Sequence, residues 1–179
     1  MQERQAPAGN EGEWVGLTWY GEDAFDTIRH GGGTMGQLSL LVLQPASGFA
    51  MAVLTNGSPG GLQVIDAALG AVGMRKPEPQ AVSGAPVERY AGTYEMPGAR
   101  LTFSPAGDRM RVDEEDLGGF PTPDSPPGPP APPYDVVFSS EDRWFVAEGP
   151  YKGMTGHFIR DADGNVVWLR VGGRLARPA

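Results

Sequence analysis

The chain contains no cysteine among its 179 residues. Disulfides, thiolate metal sites and a cysteine nucleophile are therefore excluded. Long hydrophobic runs are missing too, since no stretch of about 18 apolar residues exists that could cross a membrane as a helix. Residues 1–7 lack the apolar core of a secretory signal. We therefore expect a polypeptide that is cytoplasmic as written and does not enter a membrane, while a longer parent protein could be exported.

Positive charge is also scarce, with 14 Lys and Arg against 22 Asp and Glu and a net charge of −8. Nucleic-acid binding needs a clustered basic face, so the composition predicts no nucleic-acid partner. Glycine and proline, in contrast, are abundant, with 27 and 18 residues. Their combined share approaches that of low-complexity sequence, so we expect part of the chain to stay unpacked.

Composition divides the chain into blocks. Residues 1–12 are polar and aperiodic and predict a disordered tail. Residues 13–74 form a first packed block, residues 75–86 have the composition of a linker, and residues 87–179 form a second packed block. Within the second block, residues 117–133 are proline-rich. Because proline opposes strand pairing, a mobile insertion is favoured there over a polyproline-type ligand for an aromatic groove.

The first block predicts strands followed by one helix. Runs rich in aromatic and β-branched residues predict strands at Trp14–Tyr20 and Ala24–His30. Two apolar runs predict a hairpin at Gln37–Gln44 and Phe49–Thr55. The helix signals are Ser58 as the N-cap, Pro59 in the first turn, Leu62, Ile65, Leu69 and Val72 on one face, and Gly73 at the end.

The second block predicts short strands with close turn signals, which indicate a meander closing into a barrel or sandwich. The predicted strands are Arg89–Glu95, Arg100–Ser104, Arg109–Asp113, Tyr134–Phe138, Arg143–Ala147, Thr155–Arg160, Val166–Arg170 and Gly173–Ala176. Small barrels commonly pack their interiors, so a filled core is favoured over a ligand cavity. The aromatic residues available for it are Tyr90, Tyr94, Phe103, Phe138, Trp144, Phe145, Phe158 and Trp168. The predicted class for the whole chain is α+β with predominantly antiparallel β-structure.

The most informative stretch is residues 29–36, where an imidazole stands beside consecutive glycines. Glycine lets a ligand approach the backbone closely, and histidine is the side chain whose ordinary pKa lies nearest neutrality. The spacing Gly31-x-Gly33-x-x-Gly36 formally matches the dinucleotide fingerprint. It precedes an apolar strand rather than a helix, and no acidic residue follows about 20 positions later. We therefore reject nucleotide binding and predict no cofactor.

Two acidic stretches resemble metal sites without completing one. Residues 161–165 resemble the start of a calcium loop, but the glycine comes one position early and no glutamate closes the loop. A hairpin turn is favoured there. Residues 113–116 are better explained as a solvated acidic run. His157 has aromatic neighbours in a predicted strand, which favours ordinary packing. We therefore predict no metal site.

The order of features in the first block resembles the C-terminal end of serine β-lactamase-like proteins. That family includes class C β-lactamases, penicillin-binding DD-peptidases and related esterases and aminopeptidases. His30, Gly31 and Gly32 resemble the His-x-Gly motif of a strand beside the family's nucleophile, and residues 16–20 resemble the strand before it. The resemblance implies a truncated sheet of about four strands with a C-terminal helix.

The second block resembles the lipocalin-like domain that often follows such hydrolases. The similarity lies at residues 88–95 and 161–177. It implies a small lipocalin-like β-barrel after the sheet.

For the site, the resemblance implies a supporting role. His30, Gly31 and Gly32 would form a wall of the substrate groove. A backbone N–H of Gly32, Gly33 or Thr34 would complete an oxyanion hole for acyl transfer to lactams, peptides or esters.

The family's nucleophile is missing from this chain. Neither Lys76 nor Lys152 follows a serine by three positions, so there is no Ser-x-x-Lys, and Tyr-x-Asn is absent. A serine nucleophile needs an adjacent base. The resemblance therefore implies a partial hydrolase that is inactive alone.

The alternative function is a non-catalytic binding or oligomerisation module built on the barrel. Both functions favour association, because a truncated sheet exposes apolar faces and an unpaired edge. The expected partner is a second copy or a complementary hydrolase fragment.

Overall fold

A computed structural model describes residues 2–8, 12–34, 36–57, 60–119 and 122–179. The chain divides into two compact units, Met1–Pro77 and Glu78–Ala179. In the described residues the strands are paired antiparallel, and the first unit carries one α-helix. The predicted α+β class with predominantly antiparallel β-structure and a barrel is confirmed.

The first unit is a six-stranded sheet in which each strand pairs with its neighbour in sequence. A short 3-10 turn joins the third and fourth strands. The strands are β1 (Ala6–Pro7), β2 (Glu13–Val15), β3 (Tyr20–Glu22), β4 (Thr27–Thr34), β5 (Gln37–Gln44) and β6 (Phe49–Thr55).

The start of this sheet differs from the sequence prediction. The run 14–20 is not one strand, because β2 and β3 meet at a tight turn closed by the Gly16 N–H, which donates to the Trp19 carbonyl at 2.8 Å. Within the predicted tail, Ala6 and Pro7 pair with β2. The expected sheet of about four strands therefore has six.

A helix, α1 (Gly61–Ala71), follows β6 and packs against β5 and β6. It has Gly60 at its N-cap and no side-chain cap. The predicted cap Ser58 and first-turn Pro59 lie outside the described residues. The predicted end at Gly73 is confirmed, since this residue has a φ of 72° and follows the C-cap directly.

The second unit is a closed barrel of eight strands. Each strand pairs with the next, and the last pairs with the first, which makes an up-and-down barrel rather than a sandwich. A 3-10 turn, Val87–Tyr90, replaces the start of the first predicted strand. The strands are β7 (Gly92–Met96), β8 (Ala99–Ala106), β9 (Arg109–Asp116), β10 (Tyr134–Phe138), β11 (Arg143–Phe145), β12 (Thr155–Arg160), β13 (Val166–Val171) and β14 (Arg174–Pro178).

Aromatic rings occupy the centre of the barrel. The Phe158 ring stacks on Tyr90 with 4.4 Å between centroids and lies edge-on to Phe103 at 5.3 Å. Seven of the eight aromatic residues named from the sequence are buried. The exception is Trp168, which is 39% exposed because it points outward beside the inward-facing Leu169.

The proline-rich insertion contains no strand in its described part, residues 117–119 and 122–133. One carboxylate binds two points of it, since Asp116 accepts hydrogen bonds from the N–H groups of Gly118 at 2.7 Å and Gly128 at 2.8 Å. These bonds lower the pKa of Asp116.

The acidic stretch 161–165 forms the turn between β12 and β13. Asp161 Oδ1 accepts from the N–H groups of Asp163 and Asn165 at 3.0 and 2.9 Å. The hairpin turn favoured from the sequence is the structure found.

Candidate functional site

The residues singled out from the sequence lie in the second half of β4. His30, Gly31, Gly32, Gly33 and Thr34 are all exposed. Each pairs with β5 on one side, but the pairing of β4 with β3 ends at Arg29. Within the described strands, the other edge of β4 is therefore open beyond that residue.

The glycines of β4 have a packing role within the sheet. A Cβ at Gly31 would lie 3.3 Å from the carbonyl oxygen of Ser39, and one at Gly33 would lie 2.8 Å from Leu38 Cδ2. Ser39 Oγ also donates to the Gly32 carbonyl at 3.4 Å. The glycine run thus lets β4 and β5 approach each other closely.

The face of this sheet that carries His30 is exposed over much of β4–β6, although Ile28 at one end of it is buried. Helix α1 covers the other face at β5 and β6. Directly paired residues point to the same side, which places His30 beside Leu41 and Leu41 beside Ala52. Leu54 on β6 is 82% exposed and Leu41 is 37% exposed. We call this surface the open face: His30, Gly32, Ser39, Leu41, Leu43, Ala50, Ala52 and Leu54.

The open face is apolar and lacks negative charge. Strands β4, β5 and β6 contain no Asp or Glu. The ionisable side chains of these strands are Arg29 and His30. Arg29 lies on the other face of the sheet, and the His30 ring is edge-on to Trp19 with 6.4 Å between the ring centroids. In a chain with a net charge of −8, this surface is unusual.

A cleft in the same unit does not include these residues. It is lined at one end of the sheet by Trp14, Asp23, Ile28 and Ala46, among others. That cleft is therefore separate from the His-Gly stretch.

On the opposite side of the sheet, four charged side chains form a network that the sequence analysis missed. Arg29 Nη2 lies 2.6 Å from Glu13 Oε1, and Lys76 Nζ lies 2.7 Å from the same oxygen. Lys76 also pairs with Glu22. Both carboxylates are buried, so these cations compensate charges that have lost their hydration.

Replacing Lys76 by methionine is expected to lower the free energy of unfolding by about 2 kcal/mol, because both buried carboxylates would lose a partner. Urea denaturation of the full chain measures the effect. Lys152→Met is the matched control, since Lys152 pairs with Glu78 at 3.8 Å on the surface. The control is expected to stay within about 0.5 kcal/mol of the parent, and equal losses in both variants would contradict the network's role.

On the barrel, His157 lies between two arginines. It is directly opposite Arg143 on β11 and Arg170 on β13. Burial first, and then these two positive charges, lower the pKa of His157 to about 4. The side chain is half-buried on the outer side of the strand and therefore faces the surface of the barrel.

This lowered pKa predicts that stability falls in acid. The unfolded chain binds a proton at His157 near the ordinary pKa of about 6.5, above the folded value. The contribution of His157 is therefore fully present above about pH 6.5 and is lost as the pH falls toward 4. Denaturation at pH 7 and pH 4.5 is expected to show a larger loss in the parent than in His157→Gln. Equal losses would show that His157 does not carry the effect.

Within the described residues, no group of three or more His, Cys, Asp or Glu side chains is placed to hold a metal ion. No helix in that part of the chain has the length and apolar character to span a membrane.

No family model matches the chain, and no curated protein matches it. Among solved structures, the crystal structure of SurE with D-Leu aligns with 100% of this chain at a TM-score of 0.63 and 19% identity. This chain therefore shares the fold of the aligned part of that SurE structure. The chain spans 42% of the length of that SurE structure.

Two further structures align less well. A second SurE structure aligns with 90% of this chain and 34% of its own, at 22% identity and a TM-score of 0.49. An octameric penicillin-binding protein homologue from Pyrococcus abyssi aligns with 98% of this chain and 40% of its own, at 20% identity and a TM-score of 0.37. Neither alignment is close enough to support an argument.

The family expected from the sequence is corrected by these comparisons. The alignment that shows a shared fold is with SurE. The prediction of a truncated serine β-lactamase-like sheet, and with it a partial serine hydrolase, is therefore wrong by these comparisons. The motif that suggested it was short, and close packing of β4 on β5 accounts for its glycines.

Proposed function

We propose that the chain is an association module whose first unit joins a second copy through the open face. The observation that carries this proposal is the 82% exposure of Leu54 beside Leu41, Ala50 and Ala52. Helix α1 covers one side of the sheet, and the open face is on the other side. An apolar sheet face normally packs against a second layer, and a contiguous exposed apolar patch marks an interaction site.

Charge favours a second copy as the occupant. Two chains of net charge −8 repel each other, and the repulsion is least where no carboxylate stands on the approaching surface. The strands β4–β6 meet that condition, since they contain no Asp or Glu. A two-fold interface also requires a patch that is complementary to itself, and apolar side chains of similar size satisfy this.

A different polypeptide is the second candidate for the covering layer. It is favoured by one observation, that the chain spans only 42% of the SurE structure that it resembles. In that case the open face would bind a protein segment that supplies an apolar layer, and the isolated chain would not self-associate through it.

The groove residues predicted from the sequence are a secondary part of this proposal. His30, Gly31 and Gly32 as a ligand wall, and Gly32, Gly33 and Thr34 as N–H donors, remain a prediction. The open edge of β4 supports contact with an extended segment there. For the second unit, the up-and-down closure of eight strands supports the lipocalin-like comparison.

Sedimentation velocity of the full chain from low to high micromolar concentration tests self-association. We expect a concentration-dependent species of twice the 19.0 kDa chain mass. A single monomeric species at every concentration would contradict association with a second copy.

A further inference from the structure

A second surface, on the barrel, carries charge of the opposite sign to the whole chain. Strands β11–β14 contain no Asp or Glu, but they hold five of the 14 Lys and Arg residues. These are Arg143, Arg160, Arg170, Arg174 and Arg177. A chain of net charge −8 thus concentrates positive charge on four adjacent strands.

The pairing register places part of this charge in one row across the outside of the barrel. Arg143 lies opposite His157, His157 opposite Arg170, and Arg170 opposite Leu175. Their sequence neighbours Trp144, Phe158, Leu169 and Ala176 point inward and are buried. Directly opposed side chains on adjacent strands are about 5 Å apart at Cβ, so the row forms a continuous strip.

Most of this charge is not neutralised internally. The charge of Arg160 is neutralised, because its guanidinium pairs with Glu141 at 3.0 Å and with Asp142 at 2.6 Å. Arg170, Arg174 and Arg177, in contrast, form no ion pair with any other described residue. Of these three, Arg170 acts on His157, because its positive charge contributes to the lowering of the His157 pKa.

Two apolar side chains flank the arginines. Trp168 is 39% exposed and lies two residues before Arg170 on the same side of β13. Leu175, opposite Arg170, is 42% exposed. Tryptophan and arginine are enriched among residues that dominate binding at protein interfaces.

We propose that this basic strip, formed by Arg143, His157, Trp168, Arg170, Leu175 and Arg177, binds an acidic segment of another protein. Carboxylates of the segment pair with Arg170 and with Arg177, which lies two residues after Leu175 on the same side of β14. An apolar side chain between the carboxylates packs on Trp168 and Leu175. The proposal is independent of association through the open face, because it concerns a surface of the other unit.

The limited width of the strip favours a protein segment over a nucleic acid. Four strands at about 4.8 Å spacing span roughly 15 Å. A short acidic segment can remain within that width. A longer phosphate backbone would extend beyond the strip onto the rest of a chain that has an excess of eight negative charges. Salt would not fully screen the resulting repulsion at such short distances.

The two histidines provide an internal comparison for the test. The probe is a peptide of glutamates with one central leucine, added to the full chain while the imidazole carbon-bound protons are followed by NMR. We expect the His157 signal to shift with saturation, while the His30 signal in the other unit stays in place. Shifts of both signals, or of neither, would overturn the proposal.

Variants locate the contact. Arg170→Gln is expected to weaken peptide binding at least tenfold. Arg109→Gln is the matched control, since Arg109 lies on β9, outside strands β11–β14, and pairs with Glu148 at 3.3 Å. The control is expected to bind as the parent does. Arg177→Gln repeats the test if Arg170→Gln does not keep the parent's thermal midpoint, and unchanged binding in a folded variant would overturn the proposal.

Other ligands test whether the strip binds an acidic peptide specifically or attracts any anion. A peptide with glutamine in place of glutamate is expected not to bind, and sulfate at matched ionic strength is expected to shift His157 weakly. Equal effects of sulfate and the acidic peptide, or tighter binding of a single-stranded oligonucleotide, would overturn the assignment to a protein partner.

Discussion

Replacing Gly156 by alanine is expected to lower the free energy of unfolding of the barrel by about 3 kcal/mol. A Cβ at this position would overlap the indole ring of Trp144 and lie 2.7 Å from the backbone oxygen of Arg170. Trp144 cannot yield freely, because it is fully buried with its ring centroid 5.8 Å from that of Phe103. The added methyl group therefore has to move either a packed indole or a neighbouring strand.

Chemical denaturation of the full chain, followed by tryptophan fluorescence and near-ultraviolet circular dichroism, measures this loss. Thr155→Ala is the neighbouring control, since Thr155 is exposed on the same strand. It is expected to cost no more than about 1 kcal/mol. A stability of Gly156→Ala equal to that of the control would show that β12 is not held against Trp144 as described.

Replacing Leu54 by aspartate is expected to raise the dissociation constant of the homodimer about 100-fold or more. The substitution puts one carboxylate from each copy into the same apolar interface. Each carboxylate would lose its hydration without gaining a cation, and the two would repel each other. The monomer is expected to fold normally, because Leu54 is 82% exposed.

Val64→Asp is the matched control for this effect. Val64 is 52% exposed and lies on α1, which covers the other side of the sheet. Sedimentation equilibrium of both variants is expected to show a weakened dimer for Leu54→Asp and a parent-like dimer for Val64→Asp. Equal weakening in the two variants would place the interface elsewhere.

Local sequence patterns predicted much of the fold. The runs 37–44 and 49–55 have the bounds of β5 and β6, because apolar strands flanking a Pro-Ala-Ser-Gly turn carry their own register. In the barrel, alternation along β8 and β9 places Leu101, Phe103 and Val112 inward. Strand periodicity and glycine turns are local, so a single sequence is enough to reveal them.

Contacts between distant residues could not be predicted in the same way. Lys76 meets Glu13 across 63 positions, and composition alone assigned it to a linker. The turn at Gly16 divides a run whose aromatic content indicated one strand. The His-Gly stretch suggested a family because a motif of only three residues can occur for a local reason. Here that reason is the close packing of β4 against β5.

The absence of cysteine allows the most direct test of the central claim, that the open face is an association surface. Ala52→Cys places a unique thiol on that face, and Val64→Cys places one on the exposed side of α1. A short bis-maleimide added at micromolar protein concentration should convert Ala52→Cys to a covalent dimer and leave Val64→Cys as monomer. No cross-link in Ala52→Cys, or equal cross-linking of both variants, would contradict association through the open face.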